Sequence, residues 1–168
     1  MERYDSYKDS GVEWIGEIPE SWSIHRIKNH FTVISGATPK GANDEIWHGS
    51  IPWITPSDYT CVDHYISEGS RRITKIGYES CGTILVPQGS IIVSNRAPIG
   101  KVVLSKNPLC TNQGCKALVA KDKINANYVY WTLTSQDGAL QSFGQGTTFL
   151  ELSTLAMQQY PIAFPNLH

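Results

Sequence analysis

Between Thr83 and Val119 the chain lays down short β-branched runs, each cut off by turn residues almost as soon as it begins. Thr83-Ile84-Leu85-Val86 stops at Pro87-Gln88-Gly89, and Ser90-Ile91-Ile92-Val93 stops at Asn95-Arg96-Ala97-Pro98. Gly100-Lys101-Val102-Val103-Leu104 ends at Asn107-Pro108, and Leu109 to Gly114 and Cys115 to Val119 complete the set. Runs spaced by roughly ten residues leave no room for crossover helices between them, so they must pair through tight turns. The expected result is a curled sheet or partial barrel of short strands.

The flanks extend this pattern. Phe31 to Ile34 is a further strand, stopped by Ser35-Gly36-Ala37-Thr38-Pro39, and Lys40 to Gly49 reads as a polar loop. Ile51-Pro52-Trp53-Ile54-Thr55 is a short strand that Pro52 places at an edge or a strand start, with Pro56-Ser57-Asp58-Tyr59 as the turn at its exit. From there to Gly82 the signal is ambiguous, apart from a short helix around Ile76 to Ser80.

After Asp122 the period changes. Tyr128, Trp131 and Leu133 have helical spacing, and Leu140 and Phe143 continue it past Gly138, where one helix ends and another begins. Gly144 to Thr148 reads as a flexible loop; Ser153 is a helix N-cap ahead of Leu155 and Ala156, and Pro161 to Pro165 returns as an extended segment. The acidic residues 1–20 read as an extended arm with Trp14 and Ile15 as anchors, leading into a compact segment from Trp22 to Phe31. The whole is one α+β domain over 1–168: the arm (1–20), a mainly β part (21–124), then C-terminal helical segments and a closing strand (125–168).

At 168 residues, 40% hydrophobic and 17% charged, the chain has a globular composition able to bury a core. No window approaches the ~18 apolar residues of a membrane span, and the start lacks the basic-then-apolar pattern of a secretory signal. A cytoplasmic location and no membrane partner are the expectation. Cys61, Cys81, Cys110 and Cys115 match neither a disulfide framework nor the paired spacing of a structural zinc site, so buried free thiols are favoured over metal.

A net charge of −1 argues at first against a polyanionic partner, yet the charge is unevenly distributed. Residues 71–123 hold nine Lys/Arg against Glu79 and Asp122, while the other stretches are acidic. Such clustering is either a solvated surface or a basic face of the kind phosphate contact requires.

Motifs for chemistry are missing. There is no phosphate loop, GxGxxG, GxSxG or HExxH, and none of the cofactor or Asn/Asp-Pro-Pro-Tyr sequences used in amino-methylation of DNA. No acid cluster followed by Glu-x-Lys suggests a metal-dependent nuclease. A Cys/His pair assembled in space stays open as a route to a cysteine-dependent hydrolase.

A set of segments in fixed order carries a resemblance. These are Tyr7 to Gly16 with Ile18-Pro19 and Trp22; Ser35 to Pro39; Ile51 to Asp58; Pro87 to Ile91; Arg96 to Gly100; Thr111 to Lys116; Gly146 to Thr148; and Pro161 to Pro165. Together they resemble the target recognition domain of the specificity subunit in type I restriction–modification enzymes. The resemblance implies a non-catalytic domain that reads one half of a split sequence in double-stranded DNA. It also implies DNA methyltransferase subunits and a restriction motor subunit as partners, with S-adenosylmethionine, ATP and Mg bound by those partners and no cofactor on this chain. A full specificity subunit carries two such domains separated by long helices. This chain stops at Asn166-Leu167-His168, where the family enters its spacer helix, and so reads as one such domain.

Reading bases requires polar side chains on loops held by a rigid body. Asn and Gln pair bidentately with adenine and Arg with guanine. The candidates are Thr38, Lys40, Ser57, Asp58, Tyr59, Asn95, Arg96, Asn112, Gln113, Lys116, Thr147 and Thr148, with Lys101, Lys106, Lys121 and Lys123 as further phosphate contacts. Some have a plainer role: Arg96 paired to a carboxylate in a structural turn, Asn112 and Gln113 satisfying backbone groups at strand ends, and lysines that are simply solvated. Trp53 and Trp131 are expected in the core. A scaffold that docks methyltransferase through the arm and the 125–168 helices, without reading bases, is the remaining alternative.

Overall fold

In the computed structural model, which describes residues 4–41, 43–59, 64–121, 123–144 and 151–165, most of the short runs become strands, and the strands are shared among four sheets that do not close into a barrel. The acidic N-terminal residues fold back on themselves, β1 (Tyr7–Asp9) pairing antiparallel with β2 (Glu17–Pro19). This corrects the expectation of an extended arm. Gly11 and Gly16 supply the positive φ that the turn between these strands needs. Trp14 does anchor the hairpin, packing edge-on to Phe143 at 5.3 Å.

The chain then runs through β3 (Trp22–Arg26), the single turn α1 (Ile27–His30) and β4 (Phe31–Ser35). The next strand, β5 (Trp47–Ile54), begins earlier than the sequence suggested, because Trp47 and Trp53 are buried edge-to-face with ring centroids 5.1 Å apart. A 3₁₀ turn at Pro56–Tyr59 follows, then β6 (Tyr65–Ile66), β7 (Arg71–Ile73) and α2 (Lys75–Glu79). The segment expected as a strand at 83–86 makes one bridge, Val86 to Leu109, and leaves Ile84 and Leu85 exposed. Four further strands follow: β8 (Ile91–Ser94), β9 (Val102–Ser105), β10 (Cys110–Thr111) and β11 (Cys115–Ala120).

The helical part is α3 (Ala126–Ser135), α4 (Asp137–Ser142) and α5 (Thr154–Gln159), and β12 (Pro161–Pro165) pairs antiparallel with β3. Asn125 caps α3, and the Ser153 hydroxyl accepts from Ala156 N at 3.0 Å, as its position before an apolar run predicts. The break between α3 and α4 falls at Gln136, two residues ahead of the expected Gly138.

The central sheet runs β4-β11-β8-β9-β6, and β8 is buried at every position. Its side chains alternate between two cores, as the two-residue period of a strand requires. Ile91 and Val93 join Phe31, Leu118, Val129, Leu133 and Met157 under the helices. Ile92 joins Val103, Ala117, Ile54, Tyr59 and Leu109 on the other face, beneath the three-stranded sheet β10-β5-β7. A strand covered on both faces reads as an unbroken apolar run, which is why Ser90 to Val93 stood out in the sequence. Pro52 is tolerated inside β5 because β10 pairs only with Trp53 and Ile54, so one side of the strand at Pro52 is still an edge.

Candidate functional site

The antiparallel registers put Ser35 of β4 opposite Lys116 of β11, and Cys115 of β11 opposite Ser94 of β8. The loops leaving β4 and β8, and those entering β9 and β11, therefore emerge at one end of the central sheet. Backbone contacts weld them together. Ala37 N donates to Thr111 O at 2.9 Å, Asn112 N to Ile54 O at 2.9 Å, and Asn95 N to Gly114 O at 3.0 Å. Gly36 fits only as glycine: a Cβ there would lie 2.2 Å from the carbonyl oxygens of both Thr111 and Asn112. Gly114 brings the same loop within 3.1 Å of Pro56, measured from the place its Cβ would occupy. Segments far apart in sequence (35–40, 55–59, 95–101 and 111–116) thus form a single surface.

On that surface the candidates separate by burial. Thr38, Lys40, Ser57, Arg96 and Gln113 are exposed. The Thr38 hydroxyl donates to the side-chain carbonyl of the exposed Gln113, which orients the amide. Arg96 lies 3.5 Å from Glu151, with both side chains about half exposed, a pairing loose enough to yield to a better acceptor.

Three candidates are corrected by burial. Tyr59 is 2% exposed and its hydroxyl sits 3.5 Å from Cys115 Sγ, so it belongs to the core, and burial pushes its phenol far above the ordinary range. Asn95 is fully buried; its Nδ2 donates to Glu151 Oε1 at 3.0 Å and its Oδ1 has no hydrogen-bond partner among the described residues. Lys116 is 5% exposed and donates to Ser35 Oγ at 2.9 Å. Desolvation lowers the Lys116 ammonium pKa, a shift that the charge of Glu151 opposes. These three support the loops from beneath and do not present side chains at the surface.

Asp58 and Asn112 are half-buried clamps. One Asp58 oxygen accepts from Thr55 N at 2.7 Å and from its hydroxyl at 2.8 Å, and the other accepts from Ser70 N at 2.8 Å. Burial alone would raise the Asp58 pKa, but these hydrogen bonds outweigh it and hold the carboxyl below its ordinary value. Asn112 Oδ1 accepts from Gly114 N at 2.9 Å and closes the turn before β11, the plainer role weighed for it. Thr147 and Thr148 lie outside the described residues.

Glu151 gave no signal as a site residue, although it is the one acid after Asp137 and so stood alone in an uncharged stretch. The basic stretch 71–123 does not gather into one face. Arg72 pairs with Glu68, Lys75 with Glu79, and Lys116 is buried. Lys106 and Lys121 follow β9 and β11 at the opposite end of the sheet. Trp53 is in the core as expected, whereas Trp131 is 58% exposed, stacked edge-on to His64. Burial raises the thiol of Cys110 to about 11 and that of Cys115 to about 12, which keeps both protonated at neutral pH and weakens the hydrolase alternative for them. Cys61 lies outside the described residues.

Residues 19–168 match the model of the type I restriction modification DNA specificity domain. The chain belongs to this family. The specificity domain is 37% identical over 155 residues to the type I restriction enzyme MjaIX specificity subunit of Methanocaldococcus jannaschii, covering 90% of this chain and 36% of that protein. It is 28% identical over 174 residues to the EcoR124I/EcoR124II specificity subunit of Escherichia coli, covering 97% and 39%. The fold is shared with the HsdS subunit from Thermoanaerobacter tengcongensis at a TM-score of 0.66 and 20% identity, over 95% of this chain and 36% of that one. It is also shared with the S subunit from M. genitalium at 0.60 and 18%, over 85% and 34%. The specificity domain thus spans a little over a third of the length of the curated relatives it matches.

Proposed function

We propose that this specificity domain binds duplex DNA and reads one half of a bipartite target for a type I restriction–modification system, with no catalytic step of its own. The observation that carries the reading is the welding of loops 35–40, 95–101 and 111–116 into one polar surface at the end of a rigid sheet, in a chain of this family. Gln113, oriented by Thr38, has the donor and acceptor needed for an adenine edge, and Arg96 has the fork needed for guanine. Lys40 and Lys101 flank them as phosphate contacts. Asp58, Asn112 and the buried Asn95 fix the loops, so ordering entropy is spent on folding and not on binding.

On this reading, methyltransferase subunits supply methylation with S-adenosylmethionine, and a motor subunit supplies ATP- and Mg-dependent restriction. No helix among the described residues is long and apolar enough to cross a membrane. The exposed Trp131 and Leu155, at 58% and 64%, favour a protein contact in addition to DNA on the helical side.

The test is methylation mapping across the genome of cells making the chain together with its methyltransferase partners. Arg96→Ala and Gln113→Ala are expected to relax the methylated sequence at one position each. An unchanged motif in both variants would remove these residues from base reading, and DNA affinity absent from the assembled complex would leave the scaffold reading standing.

A further inference from the structure

Beside the loop cluster lies a cleft that neither the family resemblance nor the site above accounts for. In the pairing of β5 with β7, both Trp47 and Ile51 face Ile73, so His48, Gly49 and Ser50 bulge out of the ladder. The bulge is built into the backbone. His48 adopts φ +64°, a region non-glycine residues rarely enter, and a Cβ on Gly49 would lie 2.3 Å from Ile73 O. Together with Gly69, Ser70, Arg71 and Arg72 the bulge walls a cleft of about 290 Å³. Strain of this kind persists where the surroundings enforce it, and it concentrates at ligand sites.

Arg71 dominates the cleft. Its guanidinium carbon sits 3.4 Å from the centre of the Trp47 ring and 5.7 Å from that of Trp53. Stacking fixes the plane of the guanidinium and leaves its N–H edge unused. Among the described residues no ion pair or hydrogen bond engages the Arg71 guanidinium, whereas Arg72 is held by Glu68, and His48 lies 3.8 Å from Asp44. A planar cation with a free, pre-oriented edge is suited to a bidentate oxyanion. The cleft also adjoins the loop surface. Ser70 N donates to Asp58, and Trp53 Nε1 donates to Ala37 O at 3.0 Å, next to Thr38.

We infer that this cleft is a phosphate-binding site for the DNA backbone, with Arg71 as the residue that contacts the phosphate. The inference rests on the DNA-reading function proposed above and deepens it: the loops read bases while Arg71 fixes the register of the duplex against them.

The test measures binding of the chain, in complex with its methyltransferase partners, to a random-sequence duplex and to a duplex carrying the methylated motif, across a salt series. Arg71→Met keeps an unbranched stem over Trp47, and near-UV circular dichroism reports whether the tryptophans stay packed. Arg71→Met is expected to weaken both duplexes by a similar factor, about tenfold, the order of one charge-assisted contact. The salt slope is expected to fall by about 0.9, and the methylated motif to stay unchanged. Arg71→Lys keeps the charge and is expected to keep the slope while losing part of the affinity. Unchanged affinity and slope in a folded Arg71→Met protein would overturn the site, and so would a changed motif, which would make Arg71 a base reader. Normal behaviour of Arg71→Met with motif-specific binding by the parent removes this site alone; no DNA binding by the parent removes the parent reading and the site together.

Discussion

The two ends of the central sheet differ in a way the charge pattern of the sequence conceals. At the end where β4 and β8 finish, the loops are crosslinked by backbone hydrogen bonds, and their exposed side chains are mostly neutral and polar, with Lys40, Arg96 and Lys101 among them. At the other end, where β9 and β11 finish, Lys106, Lys121 and Lys123 stand exposed with Lys28, and Lys121 donates to the Lys28 carbonyl at 2.6 Å. The lysine-rich end is crosslinked as well, Lys106 N donating to Ile66 O at 2.7 Å and Lys121 N to His30 O at 2.8 Å, but it presents charge and no oriented amide. Sequence reading demands oriented donors and acceptors, while attraction to phosphate demands charge alone, so the oriented polar side chains are the better guide to the proposed reading surface.

That contrast fails if the loop end proves tolerant of disruption. Gly36→Ala places a methyl against two carbonyl oxygens and is expected to cost about 3 kcal/mol, read as a lower melting temperature and loss of motif-specific methylation. Gly138→Ala, in α4 with open space around it, is expected to stabilise by about 0.5–1 kcal/mol through helix propensity. Equal effects at both positions would deny that close packing at Gly36 holds the loops together. Next in size, Arg96→Ala and Gln113→Ala are each expected to lower discrimination at one base by about 1–3 kcal/mol, measured as the ratio of affinities for matched and mismatched duplexes.

What the sequence disclosed and what it hid follow one physical division. Ser90 to Val93 was legible because β8 is covered on both faces, and Ser153 because a cap is a local pattern. Gln113 and Arg96 were legible as polar residues at turns, and both are exposed. Asn95 and Lys116 looked identical by the same criterion, and only the long-range positions of Glu151 and Ser35 explain why they are buried. Tyr59 sits at the end of a turn but points into a core made by β8, β9 and β11, elements more than thirty residues away. The hairpin within residues 1–20 and the bulge at His48 depend on pairing partners that polar composition does not reveal. Local periodicity exposes elements; the burial of a turn side chain is decided by what packs over it.

Asp58 offers a smaller test of how the loop end is held. Asp58→Asn turns one acceptor oxygen into an NH₂ group facing backbone donors, which is expected to cost about 1–2 kcal/mol near neutral pH. The folded carboxyl titrates below its ordinary value of 3.8, so its contribution is complete above that value and is lost as pH falls through the lower, folded one. The stability gap between parent and Asp58→Asn should therefore be flat above pH 4 and close below it. A gap that persists in strong acid would mean the clamp owes nothing to the charge.

The smallest effect is expected at the far end, and it decides how far the duplex extends. Replacing Lys106, Lys121 and Lys123 together by Ala removes three exposed charges at the strand ends away from the loops. A duplex lying across the loop surface is separated from them by the length of the strands, about 3.3 Å per residue over the five residues of β4 and the six of β11. That span exceeds the Debye length of about 8 Å at physiological salt, so their field at the DNA is largely screened. Affinity in the triple variant should change by less than about twofold and the salt slope should hold. A slope that falls by about 0.9 for each lysine would show the duplex wrapping to that end, and the contrast between a reading end and a merely solvated one would have to be given up.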